Sequence, residues 1–222
     1  MKILLTGATG YLGSYLAKHF IKLNNKVVIL KRKSSNMERL TEIQKNLICY
    51  DLDGLDLRVL FRQQGNFDVI IHTSTCYGKK GETKNEIFEA NTLFPTKLLE
   101  TSILFNTKIF INTDTYYNIN KNIYDHLSNY ILSKQYFLEK IKLLSVKKKI
   151  RVINLRLEHV YGPKDSETKF VNWLVNSLSK GNEKIKLTKG EQKRDMIYID
   201  DVVSAYGKVL ANMSKINEYY VD

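Results

Sequence analysis

The sequence predicts an α/β protein with a doubly wound parallel sheet. Short β-branched runs alternate with longer amphipathic stretches, which is the pattern of consecutive strand–helix–strand units. A glycine-rich turn directly follows the first run, and hydroxyl-bearing residues end a later one. Because such units connect with right-handed crossovers, the strands are expected to form one sheet with helices on both faces.

Six strands and four helices are predicted for this sheet. The strands are Lys2–Thr6, Lys26–Leu30, Leu47–Tyr50, Asp68–His72, Lys108–Thr113 and Arg151–Arg156. The helices are Tyr11–Leu23, Asp56–Gln64, Ile87–Leu104 and Asn129–Leu144. Beyond Arg156 the pattern changes to a Gly162-Pro163 break, a helix containing Trp173 and a strand-like run at Lys184–Leu187. We expect this part to form a small lobe over the carboxyl edge of the sheet, where ligands bind in open α/β folds.

The segment from Thr6 to Gly13 has the spacing of a dinucleotide-binding turn between a strand and a helix. Gly7 allows the tight turn, Gly10 lets the backbone approach a pyrophosphate, and Gly13 lets the helix pack closely on the strand. The helix N-terminus offers N–H donors to the anion. The segment therefore predicts an NAD(P)-binding Rossmann fold whose contacts also include Thr9, Tyr11 and Leu12.

The residues after the second strand favour NADPH over NADH. NAD enzymes usually place Asp or Glu there to bind the adenosine ribose, whereas basic residues accommodate a 2′-phosphate. This chain has Lys31, Arg32 and Lys33 and no acid at that point. Because guanidinium and ammonium groups pair well with phosphate, NADP(H) is the preferred cofactor, with NAD(H) as the alternative. The other interpretation is that these residues are ordinary surface bases of a basic protein.

Tyr130 and Lys134 form a Tyr-x-x-x-Lys pair, which places both side chains on one helix face. A neighbouring ammonium stabilises a phenolate, so we expect it to lower the pKa of Tyr130 toward the working range. Thr113 ends the preceding strand, where a hydroxyl could bind a substrate oxygen beside the tyrosine. Thr113, Tyr130 and Lys134 are therefore the predicted catalytic residues.

These motifs together resemble the extended short-chain dehydrogenase/reductase family, also called the NAD-dependent epimerase/dehydratase family. The likeness covers the whole chain and includes the glycine turn, Asp51-Leu52, Val69–His72, Asn91, Thr113, Tyr130, Lys134, Val160–Pro163 and Arg194-Asp195. It implies that Asp51 and Leu52 flank the adenine, that Lys134 also holds the nicotinamide ribose, and that Arg194 contacts the diphosphate of a nucleotide sugar. The remaining predicted cofactor contacts are Thr73, Ser74, Asn91 and Tyr130, and the remaining substrate contacts are Asp114 and Thr115.

Each of these residues also has a purely structural interpretation. Asp51 could cap a turn, Asn91 could be a surface amide, and Arg194 could pair with Asp195 or Asp200. At position 95 a Pro stands where the family commonly has Gly, and a proline there can either kink the helix or be accommodated in it.

Within the family, the chain is most similar to the group of CDP-abequose and CDP-paratose synthases, which reduce a 4-keto group on a CDP-linked 3,6-dideoxyhexose. The similarity rests on Asn112–Thr115, Asn129–Lys134, Lys186–Thr188 and Gln192–Asp195. Family dehydratases carry an Asp-Glu pair after the catalytic Thr. Here Thr115 replaces that Glu and cannot act as a general base, so dehydration is disfavoured. The alternatives are a 4-epimerase with bound NAD and a non-catalytic dinucleotide-binding regulator.

Residues 1–157 are predicted to form the NAD(P)-binding domain, with a helix at 200–215 packing back on it. Residues 158–199 and 216–222 are assigned to the substrate lobe. Because family members usually continue well past the Arg-Asp motif, we expect a small, truncated C-terminal lobe. Family members also often dimerise through the helices at Ile87–Leu104 and Asn129–Leu144, which suggests a homodimer with a four-helix seam.

The composition disfavours several other classes of protein. The net charge is +12, but the basic residues are dispersed and no base-stacking motif is present, so nucleic acid is not the expected partner. Cys49 and Cys76 lack metal-ligand or disulfide spacing, so we expect no metal site and a reducing compartment. Neither a signal peptide nor a membrane-spanning run is recognisable, and a cytoplasmic enzyme without a membrane partner is expected.

Overall fold

A computed structural model describes residues 1–118, 125–147, 149–181 and 184–222. Its main sheet has seven parallel strands in the order β3-β2-β1-β4-β5-β6-β9, and β7 and β8 form a separate parallel pair. The strands are β1 Lys2–Thr6, β2 Lys26–Lys31, β3 Leu47–Asp51, β4 Val69–His72, β5 Ile109–Thr115, β6 Arg151–Leu157, β7 His159–Tyr161, β8 Met196–Tyr198 and β9 Tyr220–Val221. This order confirms the predicted doubly wound Rossmann sheet.

The helices are α1 Tyr11–Lys22, α2 Leu57–Gln64, α3 Lys84–Phe88, α4 Phe94–Leu104, α5 Ser128–Val146, α6 Phe170–Ser179 and α7 Ile199–Ala211. Short 3₁₀ segments occur at Glu38–Asn46, Tyr116–Asn118, Asp125–Leu127 and Met213–Lys215. No helix in the described ranges is both long enough and apolar enough to cross a membrane.

Alternate residues of each strand point to opposite faces of the sheet, so both faces are apolar and both are covered. In β1, Ile3 and Leu5 pack toward α1 and α7, whereas Leu4 packs with residues of α2, α4 and α5. The two hydrophobic clusters hold the strands in register. They leave the carboxyl ends of β1, β4 and β5 side by side, where the loops that follow them meet.

The helix predicted at Ile87–Leu104 is interrupted. It consists of α3, a π-helical turn at Glu89–Leu93, and α4, with Pro95 in the first turn of α4. Proline lacks an N–H donor, and its ring collides with the carbonyl four residues earlier in a continuous α-helix. The π turn directly before Pro95 lets a new α-helix begin there, so the proline is accommodated in the first turn of α4.

Two segments of the C-terminal part differ from the predictions. The strand predicted at Lys184–Leu187 is wrong, because these residues are largely exposed and form no ladder with any described strand. Residues 220–221, assigned to the substrate lobe, instead form β9, which pairs with Val152 and Ile153 at the edge of the main sheet. The helix expected at 200–215 is α7, and it packs against α1.

Candidate active site

The glycine turn between β1 and α1 is built around close backbone contacts. Gly7 has a φ of +72°, and a Cβ there would lie 2.6 Å from the Ser74 nitrogen. A Cβ on Gly13 would lie 2.1 Å from the Gly7 carbonyl oxygen. These contacts require glycine, because any side chain would push the turn away from the loop after β4 or from its own helix. The turn and the loop containing Thr73 and Ser74 are therefore in direct contact.

The N-terminus of α1 has the features of an anion site. Gly10 is its N-cap and is exposed, no side chain accepts from the free N–H groups there, and the first turn contains no acid. A Cβ on Gly10 would meet only the Gly7 oxygen, at 3.2 Å, so the space in front of the helix is open. Unpaired N–H groups at the positive end of a helix suit a pyrophosphate. These residues therefore fit a dinucleotide, with the half-buried Thr9, Tyr11 and Leu12 around the same turn.

At the end of β2, the three basic residues have different surroundings. Lys31 forms an ion pair with Asp51, its register partner on β3. The backbone N–H of Lys33 donates to Asp53 at 2.7 Å, while the side chains of Arg32 and Lys33 are exposed. Within the described residues, Lys31 is thus paired with a carboxylate, whereas the side chains of Arg32 and Lys33 form no ion pair with one.

Asp51 and Leu52 lie beside this cluster. Asp51 is exposed and serves as the partner of Lys31, and the N–H of Leu52 donates to the Lys31 carbonyl at 2.7 Å. The predicted adenine-flanking residues are therefore adjacent to the predicted phosphate-binding residues, on the neighbouring strand.

The loop after β4 is fixed by polar contacts. The Thr73 hydroxyl donates to the Thr6 carbonyl at 2.7 Å. Asn91, in the π turn, is almost fully buried; its Oδ1 accepts from the Cys76 N–H at 2.7 Å and its Nδ2 donates to the Cys76 carbonyl at 2.8 Å. Its Nδ2 also donates to the Ser133 hydroxyl at 3.0 Å. Asn91 is thus not a surface amide, and its side-chain hydrogen bonds within the described residues go to the loop after β4 and to α5 rather than to the glycine turn. It clamps the loop after β4 to α5.

Tyr130 is 4% exposed and lies under the ring of Tyr77, with ring centroids 4.8 Å apart. Burial, followed by the proximity of Tyr77, raises its pKa well above the ordinary value of 10, and a hydrogen-bond interaction with the Thr115 hydroxyl opposes that rise. The expected lowering of this pKa is therefore wrong for the phenol in this structure. Removing the phenol from water penalises the phenolate more than neighbouring groups stabilise it.

Lys134 is also buried, and its ammonium donates to the Thr113 carbonyl oxygen at 2.7 Å. Burial lowers the pKa of Lys134, and the nearby Asp114 carboxylate opposes that shift. The lysine thus ties α5 to the carboxyl end of β5. Tyr130 and Lys134 lie on one helix at the same edge of the sheet, as their spacing predicted.

Thr113 and Thr115 have different environments. The Thr113 hydroxyl lies 2.6 Å from the hydroxyl of Tyr206 on α7, whereas Thr115 is 6% exposed and interacts with Tyr130. Asp114 accepts from Asn118 at 2.7 Å and from Asn154 at 3.0 Å, with no exposed carboxylate surface. The structure thus brings Thr115 to Tyr130 and directs the side chains of Thr113 and Asp114 to other partners.

Arg194 contacts neither of the acids suggested by the sequence, Asp195 and Asp200, in any ion pair of the described residues. Its Nη1 lies 2.6 Å from Nε2 of His159 on β7, and that nitrogen is also 3.2 Å from the Tyr116 hydroxyl. Burial and the Arg194 charge lower the pKa of His159, which keeps the ring neutral and able to accept from the guanidinium. Arg194 itself is exposed.

Sequence reasoning missed Tyr77, Tyr206 and His159. Tyr77 lies in a loop without periodic structure, and Tyr206 lies 76 residues beyond Tyr130, so neither had a local spacing that linked it to the catalytic pair. The only available signal was the position of Tyr77 shortly after a predicted strand end, where site residues collect.

Comparisons with known proteins show the family to which the chain belongs. The family model described as NAD dependent epimerase/dehydratase family matches residues 3–221. A CDP-abequose synthase of Salmonella muenchen is 36% identical over 100% of this chain and 74% of its own length. A second CDP-abequose synthase, of Salmonella typhimurium, is 34% identical over 98% of this chain and 72% of its own.

Among solved structures, UDP-glucuronic acid 4-epimerase from Bacillus cereus, in complex with UDP-glucuronic acid and NAD, has the same fold. Its TM-score is 0.78 at 24% identity, and the match covers 100% of this chain and 76% of that one. Because the family model spans nearly the whole chain, the resemblance drawn from the motifs is confirmed. The chain belongs to the NAD dependent epimerase/dehydratase family and is an NAD(P)-dependent enzyme of that family.

Proposed function

We propose that the chain reduces the 4-keto group of a nucleotide-linked hexose, a CDP-linked 3,6-dideoxyhexose, in the synthesis of surface-polysaccharide sugars. The observation that carries this proposal is the buried Tyr130 at the carboxyl edge of the sheet, whose pKa burial raises well above 10 and whose phenol interacts with the Thr115 hydroxyl. The names of the relatives at 34–36% identity support the nucleotide-sugar class.

Reduction of a ketone needs a proton donor at the carbonyl oxygen. Bound NADPH supplies the hydride, and the chain supplies the proton. The raised pKa of Tyr130 keeps its phenol in the protonated form that can donate. The hydroxyl of Thr115 interacts with that phenol and orients the carbonyl oxygen of the substrate. The sequence suggested Thr113 for this role, but the Thr113 hydroxyl is hydrogen-bonded to Tyr206. Lys134 holds the end of β5 in place through the Thr113 carbonyl. The other N–H donors of its ammonium would bind the nicotinamide ribose.

The proposed preference for NADPH over NADH is based on Arg32 and Lys33. Their side chains are exposed at the end of β2, whereas Asp51, the acid in register with this point, is neutralised by Lys31. A 2′-phosphate would therefore meet two free cations rather than a free carboxylate.

Recognition of the nucleotide diphosphate rests on Arg194. It is exposed at the start of β8, and its guanidinium is oriented by His159. An anionic substrate would pair with the donors of Arg194 that His159 leaves free.

We further propose a cytoplasmic homodimer. Helices α3 and α5 and the π turn between α3 and α4 pack together, and the large apolar side chains that they expose include Phe88, Leu93, Leu132 and Tyr136. Phe88 and Tyr136 also contact each other, with ring centroids 5.6 Å apart. A patch of this kind suits a helical seam with a second copy. Sedimentation analysis of the wild type and of Leu132→Glu tests it, since the charge should give a monomer.

The test of the activity is to mix the protein and NADPH with CDP-, dTDP-, GDP- and UDP-linked 4-ketosugars while following nicotinamide absorbance. The expected result is stoichiometric NADPH oxidation with the CDP sugar. Tyr130→Phe should lower turnover by about 100-fold or more while NADPH binding survives. Conversion of a nucleotide sugar to its C4 epimer without net NADPH consumption would establish a 4-epimerase instead. NADPH binding without turnover of any substrate would favour a regulator.

A further inference from the structure

Tyr77 is the residue that covers the proposed proton donor. Its ring lies over that of Tyr130 at a centroid distance of 4.8 Å and an interplanar angle of 36°. Tyr77 is 49% exposed, whereas Tyr130 is 4% exposed. One phenol therefore lies between the other and solvent.

The backbone on both sides of Tyr77 is held in place. Asn91 binds both the N–H and the carbonyl of Cys76, at 2.7 and 2.8 Å. On the other side, Gly78 has a φ of +73° and packs so tightly that a Cβ would lie 2.7 Å from Cδ1 of Ile87. Because these contacts fix the chain before and after it, Tyr77 is positioned over Tyr130 by the fold.

A reductase of this kind must return a proton to its donor after every turnover. Once Tyr130 has protonated the alkoxide, its phenolate is buried, and the nearby ammonium of Lys134 is engaged by the Thr113 carbonyl. Tyr77 is the neighbouring hydroxyl-bearing residue with a large exposed surface. Burial raises the pKa of Tyr130 well above the ordinary value of 10 and also raises the pKa of Tyr77, so a Tyr130 phenolate is a strong base toward the Tyr77 hydroxyl.

We propose that Tyr77 is a positioning residue for Tyr130 that returns its proton from solvent. This inference rests on the proposed function. The Tyr130 O–H bond breaks as its proton passes to the alkoxide oxygen, giving the alcohol and a phenolate. The Tyr77 O–H proton then passes to the Tyr130 oxygen, and Tyr77 takes a proton from water. The net change is one proton consumed from solvent, and no electrons move in this part of the cycle.

The charged and titratable groups around Tyr77 are compatible with this role. The Lys79 ammonium lies 5.6 Å from the centroid of its ring and favours a transient phenolate. The contact with Tyr130 lowers the pKa of Tyr77, although burial raises it more strongly, and Asp165 and Tyr117 raise it further. Tyr77 is therefore protonated at rest, as a proton source must be.

The test compares Tyr77→Phe with wild type in rapid-mixing and steady-state measurements of NADPH oxidation. Tyr130 starts protonated, so the first turnover needs no returned proton. The variant should oxidise one NADPH per site at the wild-type rate and then continue about 10-fold more slowly. Added imidazole should restore the later turnovers of Tyr77→Phe but not the activity of Tyr130→Phe. The KM for the sugar and the Kd for NADPH should not change. Tyr219→Phe, which removes a partly buried phenol next to β9 at the edge of the main sheet, is the matched control and should behave as wild type.

A first turnover slowed as much as the later ones, without imidazole rescue, would mean that Tyr77 is only structural and would overturn the inference. Wild-type kinetics in Tyr77→Phe, with Tyr130→Phe inactive, would overturn it and leave the proposed function standing. An active Tyr130→Phe variant would contradict both the role of Tyr77 and the proposed function.

Discussion

The hydroxyl of Thr113 lies 2.6 Å from the hydroxyl of Tyr206, and this contact holds the Thr113 side chain at α7. Tyr206 is fully buried on α7, against the face of the sheet opposite α5. The Thr113 side chain is therefore part of the packing between β5 and α7. Thr115, two residues further along β5, presents its hydroxyl to Tyr130 instead.

The two threonines should consequently respond differently to loss of the hydroxyl. Thr113→Val leaves the Tyr206 hydroxyl buried without this partner, so the free energy of unfolding should fall by about 1–3 kcal/mol while kcat stays near wild type. Urea denaturation and steady-state kinetics measure the two quantities. A stable Thr113→Val protein with greatly reduced kcat would contradict the assignment.

Thr115→Val should lower kcat by about 100-fold, the usual effect of removing one hydrogen-bond donor from a reacting oxygen. Thr115→Ser keeps the hydroxyl and should retain most of the activity. Steady-state kinetics of both variants with the same 4-ketosugar give the comparison. Equal activity of the Val and Ser variants would show that this hydroxyl does not take part.

Cofactor preference should depend on Arg32. Arg32→Ala should raise the Kd for NADPH by about 10- to 100-fold, because a charge-assisted phosphate contact contributes about 1.5–3 kcal/mol, and leave NADH binding nearly unchanged. Lys26→Ala is the control, since it removes an exposed ammonium from the opposite end of the same strand. Fluorescence titration with both nucleotides distinguishes them. NADH binding tighter than NADPH in the wild type would refute the preference.

Substitutions at two glycines of the turn should have different effects, one on the stability of the fold and the other on dinucleotide binding. Gly13→Ala places a methyl group 2.1 Å from the Gly7 oxygen and should lower the melting temperature strongly. Gly10→Ala meets only one atom, at 3.2 Å, in an exposed position. It should fold but bind the dinucleotide weakly, because the methyl group occupies the approach to the helix N-terminus. Calorimetry and cofactor titration of both variants check this, and unimpaired binding by Gly10→Ala would mean that the pyrophosphate lies elsewhere.

Acid stability should depend on His72. This residue is buried among Phe94, Phe110 and Phe137, its Nδ1 lies 2.8 Å from the Thr6 hydroxyl, and burial followed by the charge of Lys134 puts its pKa well below 6.5. A depressed histidine pKa means that the unfolded chain binds a proton that the folded chain does not. The stability is therefore fully present above pH 6.5 and is lost as the pH falls below it, by about 1.4 kcal/mol per pH unit.

Urea denaturation between pH 7.5 and 5 measures that slope, and His72→Gln should flatten it. His19→Gln is a suitable control, because His19 has a lowered pKa but is only partly buried, so its contribution should be smaller. An unchanged slope in His72→Gln would assign the acid sensitivity to other groups.

The sequence by itself determined the sheet, the glycine turn and the helix that carries Tyr130 and Lys134. These features follow from local patterns: apolar alternation defines strands, glycine spacing defines the turn, and a separation of four residues places two side chains on one helix face. The ends of β2, β5 and α5 shifted by only one or two residues from the predictions, because these patterns depend on neighbours in the chain.

Only the tertiary structure decided which groups meet at the site. The pairing of Thr113 with Tyr206, the covering of Tyr130 by Tyr77, and the contact of Arg194 with His159 join residues from 35 to 93 positions apart. The upward shift of the Tyr130 pKa has the same origin, because burial is set by packing of the whole molecule and can outweigh a charge four residues away. No local pattern encodes such contacts, since they depend on how the crossovers bring distant strand ends together.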